Sequence, residues 1–98
     1  RDIKGQPGSA IRTILGGVVT TITYIRGYGT TIIVDHGGGF YTVYSHVTNI
    51  QATVDSEIRN GDVIAYMGDS GSINGSKLHF EIWGKGQKLD PEKWLRKR

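Results

Sequence analysis

The sequence predicts an all-β protein with a sandwich or barrel-like fold. Short runs rich in Val, Ile, Thr and Tyr, residues that favour strands, recur along the chain. Turn signals separate these runs at intervals of roughly 8–12 residues, a spacing that is typical of sandwiches and barrels. Glycine is abundant at 15 residues and proline is scarce at 2. No segment carries the apolar spacing of a long helix, so short strands joined by tight turns account best for the pattern.

The predicted strands are β-branched or aromatic runs that end at glycine-rich or asparagine-glycine turns. The predicted ranges, in order, are 10–15, 18–26, 30–35, 40–47, 51–54, 62–67 and 78–83. The run 30–35 is almost continuously apolar, which predicts a central strand covered on both faces.

Two turns and one terminal helical turn complete the predicted elements. His36-Gly37-Gly38-Gly39 predicts a hairpin turn, because glycine reaches positive φ easily, and His36 is interpreted as a turn residue. Asn60-Gly61 is a second strong turn signal. Pro91 at a first helical position, after Asp90 as the N-cap, predicts one short helical turn over 91–95.

Alternation along a strand assigns side chains to two faces, because successive side chains point to opposite sides. In the strand 40–47, one face is predicted to carry Phe40, Thr42, Tyr44 and His46, and in 18–26 one face carries Val18, Thr20, Ile22 and Tyr24. The strand at 78–83 is predicted to bury Leu78, Phe80 and Ile82 and to present Lys77, His79, Glu81 and Trp83 on the other face. This polar face combines a metal-ligand type of residue with a lysine two positions before it.

Composition excludes several classes of function. The chain has 98 residues, enough for one small domain. It contains no cysteine, which excludes disulfides and thiolate metal sites. The net charge of +3 is small and can come from the Arg96-Lys97-Arg98 end, so a nucleic-acid surface is not expected. No apolar run is long enough to cross a bilayer, so any membrane contact is expected only through regions outside this segment.

A series of ordered sequence blocks is similar to the LytM-type M23 zinc peptidases. These blocks cover almost the whole chain in the family's order. They are Gly27-Tyr28-Gly29, Ile33-Val34-Asp35-His36-Gly37, Tyr41-Thr42-Val43-Tyr44-Ser45-His46-Val47, Asn60-Gly61-Asp62-Val63-Ile64, Gly68-Asp69-Ser70-Gly71, Leu78-His79-Phe80-Glu81-Ile82-Trp83, Asp90-Pro91 and Trp94-Leu95.

The resemblance implies a two-sheet, β-rich fold of the duplicated hybrid motif type, with a groove over one sheet. It also implies a bacterial cell-envelope protein, since family members are mostly endopeptidases that cut peptidoglycan cross-links. Residues 1–98 are then expected to be a single M23 domain, a fragment of a longer protein. The family's zinc is held by a His and an Asp of an H-x-x-x-D segment and by the second His of an H-x-H strand. Two further His residues assist.

Carried over position by position, the resemblance places Asp2 at the zinc Asp and His79 at the zinc His of H-x-H. His46 matches the assisting His of the Tyr-x-His strand. Lys77 stands where the first His of H-x-H would be, which is a clear departure from the family pattern. The His partner of Asp2 would fall before Arg1.

The lysine changes the chemistry that this strand can support. A catalytic zinc site usually has three protein ligands and an open position for water, and a nearby neutral His can accept a proton. Lysine has a reference pKa of about 10.4 and is charged at neutral pH. A +1/+2 pair at roughly 6 Å and an effective dielectric of about 20 costs on the order of 5 kcal/mol. We therefore expect no catalytic residue and no zinc or other cofactor, with Asp2, His46, Lys77 and His79 as relict positions.

The leading hypothesis is a degenerate, non-catalytic domain of the EnvC-like and NlpD-like group, which activates a peptidoglycan amidase in cell-wall remodelling or division. The expected location is the periplasm or cell surface of a bacterium. The candidates for contact with a partner or with peptidoglycan are His46, Lys77, His79, Glu81 and Trp83. Simple packing is the alternative interpretation of Glu81 and Trp83.

Other functions stay open at this point. One is an active zinc endopeptidase that uses an altered base, with His46 as the proton acceptor, and this alternative would need zinc. Another is a module that binds peptidoglycan in the old substrate groove. Residues 60–65 also resemble the hairpins of biotinyl and lipoyl carriers and of sugar-phosphotransferase domains, but no modifiable lysine in their sequence setting is present.

Overall fold

The computed structural model of the chain describes residues 2–4, 8–68 and 77–89, and for 2–4 it describes the backbone. Within these residues every regular element is a strand, and all of the pairings between strands are antiparallel. The strands are β1 (Asp2–Lys4), β2 (Ala10–Arg12), β3 (Gly17–Ile25), β4 (Gly29–Gly37), β5 (Phe40–Ser45), β6 (Val47–Thr48), β7 (Glu57–Ile58), β8 (Val63–Met67), β9 (Lys77–Gly84) and β10 (Gln87–Leu89).

A large sheet carries most of the chain. Its seven strands run in the order β1-β9-β5-β4-β3-β7, and β10 pairs with the other end of β9. The long strands β3, β4 and β5 are joined by tight turns, so that neighbours in sequence are neighbours in the sheet. Strand β9 is distant from β5 in sequence but pairs with it along the whole length of β5. This pairing places the polar face of β9 in the middle of the large sheet.

A small sheet of three strands, β2-β8-β6, covers one face of the large sheet. Apolar side chains from both sheets form one core, as expected for two packed layers. The buried apolar residues are Ile11, Val19, Ile32, Val34, Tyr44, Val47, Ile58, Ile64, Ala65, Met67, Leu78, Phe80 and Ile82. The all-β, two-sheet fold class is therefore confirmed, and so is the burial of the predicted inner face of β9.

Several observed strands differ in their bounds from the predicted ones, and one predicted strand is absent from the described residues. The predicted strand 51–54 is wrong: these residues form no strand, and the pairing falls to Glu57–Ile58 instead. The sequence analysis did not predict β1, β6 and β10, because strands of two or three residues are too short to show alternation. The predicted helical turn 91–95 lies outside the described residues.

A β-bulge in β3 alters its predicted faces. The register with β4 shifts between Val19 and Thr21, so that one extra residue enters β3 there. Before the bulge, Val19 opposes Val34 and is fully buried, whereas Val18 is exposed at 39 %. After the bulge, the half-buried Ile22 opposes Ile32 and so shares the face of Val19, not that of Val18. The predicted face of Val18, Thr20, Ile22 and Tyr24 is therefore broken at the bulge, because alternation restarts after the extra residue.

The hairpin between β4 and β5 is shorter than predicted. Strand β4 continues through His36 to Gly37, and Gly38 and Gly39, both with positive φ, connect it to β5. His36 is therefore a strand residue and not a turn residue. Its ring is hydrogen-bonded at both nitrogens, with Nδ1 2.8 Å from the carbonyl oxygen of Gly16 and Nε2 2.7 Å from Oγ1 of Thr42.

The strand β4 is central, as predicted, because it lies between β3 and β5. The prediction that it is covered on both faces is wrong, because the small sheet packs on one face only and Ile33 lines an open cavity on the other. Its inner face is covered by the core, and its other face forms part of an open surface described below. Within the part of the chain that the structure describes, no helix has the length and apolar character needed to span a bilayer.

Candidate functional site: a groove over the large sheet

The face of the large sheet that points away from the core is built from aligned rows of side chains. Residues directly opposite each other in antiparallel strands share a face. The register across β4, β5 and β9 aligns Thr31, Ser45 and His79 in one row, Ile33, Val43 and Glu81 in the next, and Asp35, Tyr41 and Trp83 in a third. The surface therefore changes from polar to apolar along its length, and the predicted outer face of β9 lies within it.

A cavity of about 670 Å³ lies over this face and is called the groove below. Its wall on one side is the β3–β4 hairpin and on the other side the β9–β10 hairpin. The lining residues are mostly apolar: Ile25, Tyr28, Ile33, Tyr41, Val43, Ser45, Glu81, Trp83, Gly86 and Lys88. A concave, largely apolar surface with a few polar groups is the usual form of a binding site.

Glu81 is the centre of the polar contacts on the groove floor. The His79 Nε2–H donates to Oε2 of Glu81 at 2.5 Å, and the Trp83 Nε1–H donates to Oε1 at 2.8 Å. The Nζ of Lys88 lies 3.4 Å from Oε2. The His79 and Glu81 side chains are only 14 % and 13 % exposed, so this carboxylate orients both of the aromatic rings that flank it on β9.

The environment of Glu81 favours its ionised form. Burial raises the pKa of this carboxyl, but the hydrogen bonds from Trp83 and His79 and the charge of Lys88 lower it by more. The pKa of Glu81 is therefore below its ordinary value of 4.5. Hydrogen bonds to an ionised carboxylate stabilise that form, so the floor of the groove holds a negative charge at neutral pH.

Tyr28 connects the two histidines of the site. Its ring centroid lies 5.0 Å from that of His79 and 6.4 Å from that of His46. The His46 N–H donates to the Tyr28 carbonyl at 2.8 Å, which ties the β3–β4 hairpin to the end of β5. Tyr28 thus contacts both imidazoles and also lines the groove.

His46 does not lie where alternation places it. The strand β5 ends at Ser45, and His46 follows with a φ of 62°, in the left-handed region. This turn of the backbone leads the chain from the large sheet into β6 of the small sheet, and the side chain is removed from the predicted face of Phe40, Thr42 and Tyr44. His46 is 3 % exposed, so it is a buried neighbour of the groove and is not part of its lining.

Lys77 and Asp2 flank His79 in the backbone register. Lys77 is half-buried on the same face of β9 as His79, as predicted. Asp2 on β1 lies directly opposite His79 on β9. This register agrees with the predicted proximity of the two relict ligand positions, although the structure describes Asp2 by its backbone alone.

The described side chains do not by themselves form a zinc site, and the side chain of Asp2 is not among them. A catalytic site needs three protein ligands, and among the described side chains no group of three His, Cys, Asp or Glu residues is arranged to hold a metal. The Nε2 of His79 lies 2.5 Å from Oε2 of Glu81, so in this arrangement the nitrogen is in contact with the carboxylate. A half-buried lysine on the same face adds a positive charge beside any bound cation.

Most of the groove's apolar walls were not predicted as site residues. The sequence analysis named Glu81 and Trp83, which line the groove, and His79, which contacts its floor. It did not name the remaining lining residues Ile25, Tyr28, Ile33, Tyr41, Val43, Ser45, Gly86 and Lys88. Alternation within 30–35 separates Ile33 from its buried neighbours, but only the pairing of distant strands shows that these residues surround one space.

The model of the family described as Peptidase family M23 matches residues 1–91 of the chain. Among curated proteins, the chain is 40 % identical over 95 residues to outer membrane antigenic lipoprotein B of Haemophilus influenzae, covering 96 % of this chain and 23 % of the lipoprotein. It is 37 % identical over 98 residues to murein hydrolase activator NlpD of Escherichia coli, covering 99 % and 26 % respectively. The chain therefore spans about a quarter of the length of these relatives.

The fold is also that of solved M23 structures. The crystal structure of a peptidase M23 from Pseudomonas aeruginosa superimposes with a TM-score of 0.91 at 26 % identity, and the match covers 96 % of this chain and 41 % of that one. Agreement at this level over nearly the whole chain means that the two structures share the same fold.

Proposed function

Because the chain belongs to peptidase family M23, we propose that it is a non-catalytic M23 domain that binds and activates a peptidoglycan amidase. The observation that carries this proposal is the set of side chains and contacts on the outer face of β9. The Nε2 of His79 lies 2.5 Å from Oε2 of Glu81 on this face. We infer that the half-buried Lys77 on the same face stands where the family resemblance would have a base. The names of relatives as murein hydrolase activators support the same assignment.

The groove provides a binding surface that does not depend on catalysis. Its floor is made of strand residues held by continuous pairing between β4, β5 and β9, so its shape persists without a metal. Apolar walls around a single fixed carboxylate suit a protein segment that buries large side chains there. His46, Lys77, His79, Glu81 and Trp83 are the proposed contact or supporting residues, together with the apolar walls.

The proposed setting is the bacterial cell envelope, in the periplasm or at the cell surface, where peptidoglycan is remodelled during division. An outer membrane lipoprotein among the relatives supports this location. Under this proposal the protein requires no zinc and no other cofactor.

The test is stimulation of a purified N-acetylmuramoyl-L-alanine amidase on sacculi, followed by turbidity. We expect the purified chain to accelerate clearing and the Tyr41→Asp variant to lose at least tenfold of this effect, because a charge would enter an apolar wall of the groove. Val54→Asp is the matched control: Val54 is an exposed apolar residue outside the groove, at 43 % against 38 % for Tyr41. Circular dichroism checks that both variants are folded.

Two outcomes would overturn the proposal in different ways. Stoichiometric zinc in the purified protein, with cross-link cleavage that is lost in His79→Ala, would establish an active endopeptidase. Retention on purified sacculi without any stimulation of amidases would instead establish a peptidoglycan-binding module.

A further inference from the structure

The outer edge of β3 is open beyond Val19. Strand β7 pairs with Gly17 and Val18, and Val19 adds two backbone hydrogen bonds to Asp55 and Ser56. From Thr20 to Ile25, β3 is paired with β4 on one side only, and no other strand of the described residues reaches its second side. These six residues, which we call the open edge, span about 20 Å of extended backbone.

The open edge has the composition of a strand that accepts a partner. Its sequence, Thr-Thr-Ile-Thr-Tyr-Ile, is β-branched or aromatic throughout and contains no charged residue, glycine or proline. Natural proteins usually protect such edges with charges, proline, bulges or covering segments. Here the bulge at Val19–Thr21 lies at one end of the edge and Arg26 at the other, so the centre is unprotected. Tyr24 is exposed at 66 %.

We propose that the open edge is a self-association surface, on which a second copy of this chain pairs antiparallel through its own open edge. The sequence is compatible with itself in this arrangement, because every cross-strand pair within residues 21–25 joins uncharged β-forming residues. Antiparallel pairing centred on Thr23 sets Thr23 opposite its symmetry mate and places Arg26 opposite Thr20 of the other copy. The Arg26 side chains of the two copies then lie at opposite ends of the interface, whereas parallel pairing would bring them together.

The size of the contact determines its strength. Stable interfaces bury about 1,200–2,000 Å² in total, and pairing of two six-residue edges buries less than that. The dimer is therefore weak and depends on concentration, or on other parts of a longer protein that hold two copies together. It is an isologous contact with two-fold symmetry, so it closes at two copies and does not propagate into a fibre.

The symmetry also sets the position of the two grooves. A two-fold axis perpendicular to the joined sheet leaves the same face of both copies on one side. Ile25 is the last residue of the open edge and lines the groove, so the two grooves open side by side across the joint. That the two grooves would be amidase-binding surfaces rests on the proposed function, whereas the pairing of the two edges does not.

Sedimentation velocity of the purified chain, from about 10 µM to about 1 mM, tests the pairing directly. We expect the sedimentation coefficient to rise with concentration towards that of a dimer. Thr23→Lys and Thr23→Glu should each weaken association at least tenfold, because like charges would meet near the symmetry axis. An equimolar mixture of the two variants should regain association, since opposite charges would then face each other. Thr23→Val, which stays uncharged and β-branched, is the matched control.

A wild-type chain that sediments as a monomer at the highest concentration overturns the proposal. So does a dimer that the charged variants form as well as Thr23→Val does, because its interface would then lie elsewhere. The measurement contains no amidase, so loss of amidase stimulation and loss of pairing are separate results.

Discussion

At the scale of single residues, Glu81 decides what the polar face of β9 can do. Its carboxylate binds the His79 ring on one oxygen and the Trp83 ring on the other. A histidine held in this way is a fixed part of the groove floor, and its ring orientation is set by the carboxylate. The ion pair of Lys88 with Glu81 contributes little to the free energy of unfolding, because the Lys88 side chain is 51 % exposed and solvent screens its charge.

The lowered pKa of Glu81 makes a prediction about acid stability. Its stabilisation is present above the ordinary pKa of 4.5 and is lost as the pH falls through the lower pKa of the folded state. We expect Glu81→Gln to lower the free energy of unfolding at pH 7 by about 1–2 kcal/mol, because hydrogen bonds to a charged group are lost. At pH values below 4.5, the difference in the free energy of unfolding between Glu81→Gln and the wild type should shrink.

Urea unfolding of both proteins across this pH range measures the difference. Glu57→Gln, at an exposed position on β7, is the control and should show a smaller effect at neutral pH, since exposed charges contribute little. A difference between Glu81→Gln and the wild type that stays constant down to the lowest pH would contradict the assigned role.

At the scale of elements, the junction between β3 and β4 shows how closely the strands are packed. Gly17 lies against the backbone of β4, and a Cβ atom there would overlap the carbonyl oxygen of Asp35 and lie 3.1 Å from Nδ1 of His36. The same histidine joins Gly16 to Thr42. The glycine therefore allows the close approach on which this end of the large sheet depends.

Gly17→Ala should lower the free energy of unfolding by about 1–3 kcal/mol, because a backbone oxygen cannot move aside without displacing the strand. Gly16→Ala is the neighbouring control: its Cβ would lie 3.2 Å from the carbonyl oxygen of Ile58, a tight contact that small shifts can relieve. Thermal unfolding followed by circular dichroism compares the two. Equal losses in both variants would contradict this account of Gly17.

At the scale of the whole molecule, every buried apolar side chain of the core belongs to a strand of the large or small sheet. Lys77 and His79 lie on the other face of β9. Under the proposal of a zinc-free groove, this apolar core stabilises the fold by itself.

The thermal midpoint should therefore be the same in the presence of zinc and of a chelator, within about 1 °C. A site filled at 100 times its dissociation constant would add about 2.7 kcal/mol, which corresponds to a shift of roughly 10 °C or more for a domain of this size. Differential scanning calorimetry of the wild type and His79→Ala distinguishes these cases. A zinc-dependent shift of that size that His79→Ala removes would contradict a metal-free groove.

The sequence by itself determined the all-β class and the family, because strand composition, turn signals and ordered blocks are local properties of the chain. It also determined the two faces of β9, where Lys77, His79, Glu81 and Trp83 alternate with Leu78, Phe80 and Ile82. The period of two in a strand makes such an assignment depend on neighbouring residues alone.

Only the tertiary structure decided where alternation fails and what surrounds the groove. The bulge in β3 and the positive φ of His46 each reverse a predicted face, and both follow from how the strands pair and not from local preference. The ring of Tyr28 lies near both His46 and His79 because β3, β4, β5 and β9 meet across long sequence separations. The open edge of β3 is likewise visible only in the sheet order, since an edge is defined by the absence of a neighbour among the described strands.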